Sequence, residues 1–285
     1  MKKALLIALL TLPLIGCGQN QTNQKVICTS FYPLYYLASQ VVGETYTVKN
    51  LTPVGAEPHD YELTTKDLIA MDSCTAIFIN GLGMESWQNA LPDSISKKTY
   101  LTTSTIDPLK IDGVDDPHVW LNPINAIKQL DIIYTTLCDL DKDNKATFDV
   151  NYASAKQELI DLDNYLSEER KEFDNEYFAI SHAAFGYLAD RYNLKQIYVS
   201  GISPSQEPSA QDMEKIASQI KEHHISTIFT EELVSKEISE AIARETGAKL
   251  DTLNPLEGLE EEEEETEDYI SIMKENFSKL KEASK

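Results

Sequence analysis

Residues 145–173, KATFDVNYASAKQELIDLDNYLSEERKEF, contain neither glycine nor proline, and their reading decides the architecture. Apolar or small side chains recur at Phe148, Tyr152, Ala155, Leu159, Leu162 and Leu166, at intervals of four, three, four, three and four. That spacing keeps them on one stripe of an α-helix, with the charged residues between them turned away. The stretch predicts one long helix, either a strut between two lobes or a surface helix of a single domain. The pattern on its two sides favours the strut.

Towards the N-terminus, Val26 to Thr29 reads as a strand, Phe31 to Val42 as an amphipathic helix and Tyr46 to Leu51 as a second strand. A helix start capped at Thr64, the strand candidate Thr75 to Asn80, and a helix from Pro123 to Cys138 with proline at its first position follow. Beyond the long helix the same alternation returns. Strands are predicted at Tyr177–Ser181, Lys195–Val199, Ser226–Thr230 and Lys249–Leu253. Helices are predicted from the Ser209 cap to about His223 and over Ser235–Thr246, with a last one beginning near Glu260. Strands alternating with helices imply a parallel sheet covered on both faces. The fold class is α/β: two Rossmann-like lobes with parallel sheets, residues 25–143 and 175–285, joined by a rigid backbone helix over 144–174.

Met1-Lys2-Lys3, an apolar run from Ala4 to Ile15 and Gly16-Cys17 have the layout of an export signal, too short to span a bilayer. Leu14-Ile15-Gly16-Cys17 also resembles a bacterial lipobox, which makes 1–16 a signal peptide, Cys17 the lipidated residue and 17–24 a polar tether. The expected location is outside the cytoplasm, anchored in the membrane through lipid on Cys17. A net charge of −22 argues against nucleic acid and against a basic membrane-binding face. Besides Cys17, only Cys28, Cys74 and Cys138 are present, so at most one disulfide can form. Cys28 in a strand and Cys138 in a helix read as buried free thiols.

Three of the five histidines, His59, His118 and His182, stand roughly sixty residues apart in loop-like contexts. Imidazole is the commonest nitrogen ligand for zinc, and three brought together by a fold would make a metal site. Their spacing alone does not force convergence, and three separate polar histidines are the alternative. Ligands in α/β sheets bind beyond the carboxyl ends of strands, which is where His59 and His182 fall.

Five motifs in order around the long helix carry a resemblance: Gly55-Ala56-Glu57-Pro58-His59-Asp60-Tyr61-Glu62, Asp116-Pro117-His118-Val119-Trp120-Leu121-Asn122-Pro123, His182-Ala183-Ala184-Phe185-Gly186-Tyr187, Pro208-Ser209-Ala210-Gln211-Asp212 and Asn254-Pro255-Leu256-Glu257-Gly258-Leu259. The chain from about Val26 to Lys281 resembles the zinc- and manganese-binding solute-binding lipoproteins of bacterial metal ABC transporters, and among them the zinc type. The resemblance implies one metal held between the lobes, a membrane permease as partner, and no enzymatic activity. It implies His59 and His118 as ligands from the first lobe, His182 from the second, and Glu257 as the fourth, with Glu231 or water as alternatives. Glu57, Asp60 and Asn122 are the candidates to orient the imidazoles. Where many relatives carry Asp after the third histidine, this chain has Ala183, so the partner of His182 is left open.

Three imidazoles favour zinc over manganese, which takes more oxygen ligands; manganese is the alternative cargo. A zinc hydrolase would use the same three histidines with an open position, but no H-E-x-x-H signature supports one. A surface adhesin rests on location alone. The run Glu260–Glu265 reads as the acidic start of the last helix, with Tyr269, Ile272, Met273 and Phe277 forming its apolar stripe. A monomer is expected.

Overall fold

The computed structural model describes residues 25–231, 234–258 and 268–285. The expected signal segment, Cys17 with its tether, and Glu260–Glu265 lie outside the described residues. Among those described, no helix is long and apolar enough to cross a membrane.

The first lobe runs β1 (Lys25–Thr29), α1 (Tyr32–Val42), β2 (Tyr46–Asn50), α2 (Thr65–Ser73), β3 (Ala76–Ile79), α3 (Asp93–Ser96) and β4 (Thr99–Leu101). Its four strands form a parallel sheet in the order β2-β1-β3-β4. A two-stranded antiparallel hairpin, β5 (Lys110–Ile111) with β6 (Val114–Asp115), precedes α4 (Pro123–Leu140). The second lobe holds β7 (Tyr177–His182), α6 (Gly186–Arg191), β8 (Lys195–Ser200), α7 (Ala210–Glu222), β9 (Thr227–Thr230), α8 (Glu237–Thr246) and β10 (Lys249–Thr252). These strands make a second parallel sheet, ordered β10-β9-β7-β8. Between the lobes lies α5 (Lys145–Glu169), and α9 (Tyr269–Ala283) ends the chain.

Alternation along the strands sorts side chains onto the two faces of each sheet. Ile27 of β1 and Phe78 of β3 face inward, and Cys28, Ile77 and Ile79 face outward under α2. In the second lobe Phe178 and Ile180 face inward, while Ala179 packs with Ile216 and Ile242 beneath α7 and α8. The two inner faces belong to one continuous apolar core, and the α5 stripe of Phe148, Ala155, Leu159, Leu162 and Leu166 is buried in it. Tyr152, on the same stripe, is part-buried and packs against that core. Asp163 ties α5 to the second lobe by accepting from Arg191 Nε at 2.8 Å and from the Tyr192 hydroxyl at 3.0 Å. Asn151 ties it to the first, donating to the Val41 carbonyl at 3.1 Å.

Local signals fixed the helix starts. Thr64 with Asp67, and Ser209 with Asp212, form capping boxes at the heads of α2 and α7. Two expectations are corrected. Cys28 is not a free thiol: it is disulfide-bonded to Cys74, with Cα atoms 6.1 Å apart. Cys28 points to the outer face of β1, and the C-cap of α2 sets Cys74 directly against it, a pairing only the fold creates. Cys138 is free and buried as expected. The helix α9 begins at Tyr269, later than expected, where Asp268, in extended backbone, and Ser271 cap it reciprocally; Glu260 lies outside the described residues.

Candidate metal site

The carboxyl ends of the two sheets face one another, and the candidate ligands sit on the segments leaving them. Past β2, a 3₁₀ turn over Pro58–Asp60 presents His59; its Glu57 cap accepts the His59 backbone N–H at 3.1 Å. Past β4 and the hairpin, His118 leads a second 3₁₀ turn and is completely buried. Asn80, at the end of β3, donates to the Pro117 carbonyl at 2.9 Å and steadies this segment. His182 is the last residue of β7, and Glu257 lies five residues beyond β10.

These four side chains converge. His118 Nε2 lies 3.1 Å from His59 Nε2 and 3.3 Å from His182 Nε2. Glu257 Oε1 is 3.0, 3.4 and 3.6 Å from the Nε2 atoms of His118, His182 and His59. A tetrahedron with zinc–nitrogen bonds of about 2.0–2.1 Å has edges of about 3.3–3.4 Å. The observed separations bracket that value.

The hydrogen-bond pattern identifies what such a cluster accepts. Asp116 Oδ1 faces His118 Nδ1 at 2.7 Å, and Glu231 Oε1 faces His182 Nδ1 at 2.7 Å. Each carboxylate holds the proton on Nδ1 and leaves the Nε2 lone pair aimed inward, the usual arrangement behind a metal-bound imidazole. Both oxygens of Glu257 are buried without a donor in hydrogen-bond geometry. With Nδ1 of His118 and His182 engaged in this way, their Nε2 lone pairs, His59 Nε2 and Glu257 Oε1 can all be directed at one point, an arrangement that a cation completes.

The charges agree. Burial alone would push the His118 and His182 rings down, but Asp116 and Glu231 respectively, together with Glu257, hold both above the ordinary imidazole value. Burial opposes a charge on Glu257 too, yet the neighbouring imidazoles hold its carboxyl well below the usual carboxylate range. Burial, then the nearby Glu257 charge, pushes the Glu57 carboxyl up to about 8.

The orienting carboxylates are thus not those expected. Glu57 contacts the His59 backbone, and Asp60 is exposed at the cavity it lines with Glu57 and Glu207. Asn122 is spent as the N-cap of α4, accepting from Ile124 N at 2.9 Å. Asp116 and Glu231 occupy the role instead, and Glu231 answers the question left by Ala183. Glu231 is set back on Nδ1, away from the converging Nε2 atoms. Asp116 stands in the quoted Asp116-Pro117-His118 motif, two residues from its histidine, whereas Glu231 meets His182 across 49 residues of sequence, where no local pattern points to it.

The segment that carries Glu257 is strained and clamped. Leu256 adopts φ 63, a left-handed conformation costly for a bulky residue, and is fully buried. Asn254 Oδ1 accepts from Leu256 N at 2.8 Å, and Trp120 Nε1 donates to the Pro255 carbonyl at 2.8 Å. Trp120 follows His118 by two residues, so one lobe's ligand segment braces the other's.

A family model described as ZnuA, zinc-uptake complex component A periplasmic, matches residues 27–283. The chain belongs to this family. It is 33% identical to the high-affinity zinc uptake system protein ZnuA of Bacillus subtilis, over 94% of this chain and 90% of that protein. It is 36% identical to the zinc-binding lipoprotein AdcA of Streptococcus pneumoniae R6, over 98% of this chain, but spans only 60% of that relative's length. The structure of the Zn(II)-bound ZnuA-like domain of Streptococcus pneumoniae AdcA superposes with a TM-score of 0.80 at 37% identity, covering 92% of this chain and 99% of that one. The laminin-binding protein Lmb of Streptococcus agalactiae, described as bifunctional with adhesin and metal-transporting activity, gives 0.84 at 29% identity, over 92% and 100%. ZnuA-family membership accords with two parallel-sheet lobes around a long helix.

Proposed function

We propose that this chain captures one Zn2+ between its lobes, through His59, His118, His182 and Glu257, and delivers it to a membrane ABC permease. The observation that carries this reading is the set of donor separations, 3.0–3.6 Å, around a point reached by three imidazole lone pairs and one carboxylate oxygen. Three nitrogen donors and a four-coordinate geometry favour zinc over manganese. Four protein donors leave no open position for a metal-bound water, which argues for binding rather than hydrolysis. The lipobox-like Leu14-Ile15-Gly16-Cys17 supports tethering at the outer membrane face through lipid on Cys17, with the protein acting as a monomer. In this reading residues 25–143 and 175–285 form the two lobes and 144–174 the link.

The test is titration of the chain lacking residues before Gly18 with zinc and with manganese, beside His118→Ala. Tight one-to-one zinc binding, much weaker manganese binding and a crippled variant are expected. Tighter manganese binding would reassign the cargo, and no high-affinity metal would overturn the reading.

A further inference from the structure

We propose that Gly186 and Tyr187, which open α6 in the second lobe, position His118 in the first lobe by gripping Asp116; the proposal rests on reading His118 as a metal ligand. Asp116 is completely buried, and its Oδ1 accepts from both the backbone N–H of His118, at 3.0 Å, and faces its Nδ1 at 2.7 Å. Its Oδ2 projects across the lobe boundary onto Gly186. A Cβ at position 186 would lie 2.6 Å from Asp116 Oδ2 and 3.2 Å from Gln196 Nε2. The first distance is shorter than non-bonded carbon and oxygen tolerate, and the short Asp116 side chain cannot retreat without turning Oδ1 away from the His118 ring.

Nothing in the backbone of residue 186 calls for glycine: its φ is −57, ordinary helix, where alanine is the better helix former. The missing side chain leaves room for Asp116 Oδ2 and, less tightly, for Gln196 Nε2. The next residue takes the other side of Asp116. The Tyr187 hydroxyl donates to the Asp116 carbonyl at 2.8 Å and accepts from Leu109 N at 3.0 Å. With Asp116 N donating to the Leu109 carbonyl at 2.8 Å, this closes the neck of the β5–β6 hairpin. Of two consecutive residues in one lobe, Gly186 thus leaves room for the side chain and Tyr187 holds the main chain of the residue that orients a ligand of the other. The second histidine motif and the third are linked mechanically, and the separation between the lobes is felt at the His118 ring.

The experiment is a double-mutant cycle in the chain lacking residues before Gly18: Gly186→Ala, Asp116→Ala and the pair, with Tyr187→Phe alongside. Zinc affinity is measured by chelator competition, and the 15N shifts of the His118 ring are measured in the metal-free protein at one fixed alkaline pH, where the ring is neutral. Loss of an outer partner of a metal-bound imidazole costs about 10–100-fold in affinity, so Gly186→Ala is expected to weaken zinc binding about tenfold. Because that loss runs through Asp116, Gly186→Ala should change affinity less than about twofold in the Asp116→Ala background. In the metal-free protein Gly186→Ala should shift the His118 ring from its Nδ1–H towards its Nε2–H tautomer, and Tyr187→Phe should do so to a smaller extent. A Gly186→Ala chain with parental affinity and tautomer, or an undiminished penalty in the Asp116→Ala background, overturns the proposal. If the parent binds no zinc, the metal reading falls and the tautomer alone decides the contact: an unchanged ring shift would overturn it.

Discussion

Asn276, on α9, grips the backbone of Asn254 at both ends: its Nδ2 donates to the Asn254 carbonyl at 2.6 Å and its Oδ1 accepts from Asn254 N at 2.9 Å. Asn254 in turn holds the strained Leu256, so the aim of Glu257 depends on a side chain 19 residues further on. Replacing Asn276 with leucine removes both bonds from a buried amide. Destabilisation of about 1–3 kcal/mol is expected in denaturant unfolding, from the unpaired polar groups left behind. Zinc affinity should fall as well, because Leu256 can then relax; parental affinity in a correctly folded variant would show that Glu257 is held by other means.

Glu231 and Glu257 are separable by substitution. Glu231→Gln keeps the shape but removes the charge facing His182 Nδ1, and should weaken zinc binding by about 10–100-fold with stoichiometry unchanged at one. Glu257→Gln removes a donor from the cluster and should cost more. Isothermal titration of both variants checks the order, and the reverse order would make Glu231 the ligand.

Acid should release the metal from a higher pH than free imidazoles would suggest. The metal needs neutral rings, and the protein holds His118 and His182 above their ordinary value. A raised pKa means the protonated form persists to higher pH, so affinity is full on the alkaline side and is lost as pH falls. The decline should begin above about 6.5, the unperturbed imidazole value. Zinc dissociation constants at several pH values between 8 and 5.5 test this, and a flat profile would count against imidazole ligation.

The Cys28–Cys74 bridge spans a sequence separation of 46, and closing such a loop stabilises by about 4 kcal/mol in the chain-entropy view. The Cys28→Ala/Cys74→Ala chain should therefore unfold at lower denaturant while still binding one zinc. The bridge lies in the outer cluster of the first lobe, with Met71 and Ile95, on the face turned away from the shared core. Loss of binding without loss of stability would place it in the site's support instead.

What the sequence made legible was local or periodic. The α5 stripe, the strand–helix alternation and the capping boxes at Thr64 and Ser209 depend on residues within a few turns of one another, and all are present. The family motifs carried the three histidines and Glu257. Hidden were relations that exist only after folding: the bridge between Cys28 and Cys74, the close approach of Asp116 to Gly186, the approach of Glu231 to His182, and the clamp from Asn276. The head of α9 was hidden for another reason. Its signal, Asp268 with Ser271, lay beyond a run of glutamates that is itself a plausible helix start.

The continuous core around α5 has a consequence for the lifetime of the protein. Donors drawn from residues 59 to 257 share no neighbourhood in an unfolded chain, so zinc has little to bind until both lobes have closed on their common interior. The cargo is then also a folding ligand. At free zinc a thousandfold above the dissociation constant, the native state gains about 4 kcal/mol. In scarcity that gain disappears for the whole molecule at once, because the inner faces of both lobes share one core. Susceptibility to proteolysis should therefore track metal supply, and the amount of the protein that survives becomes a record of how much zinc it has met.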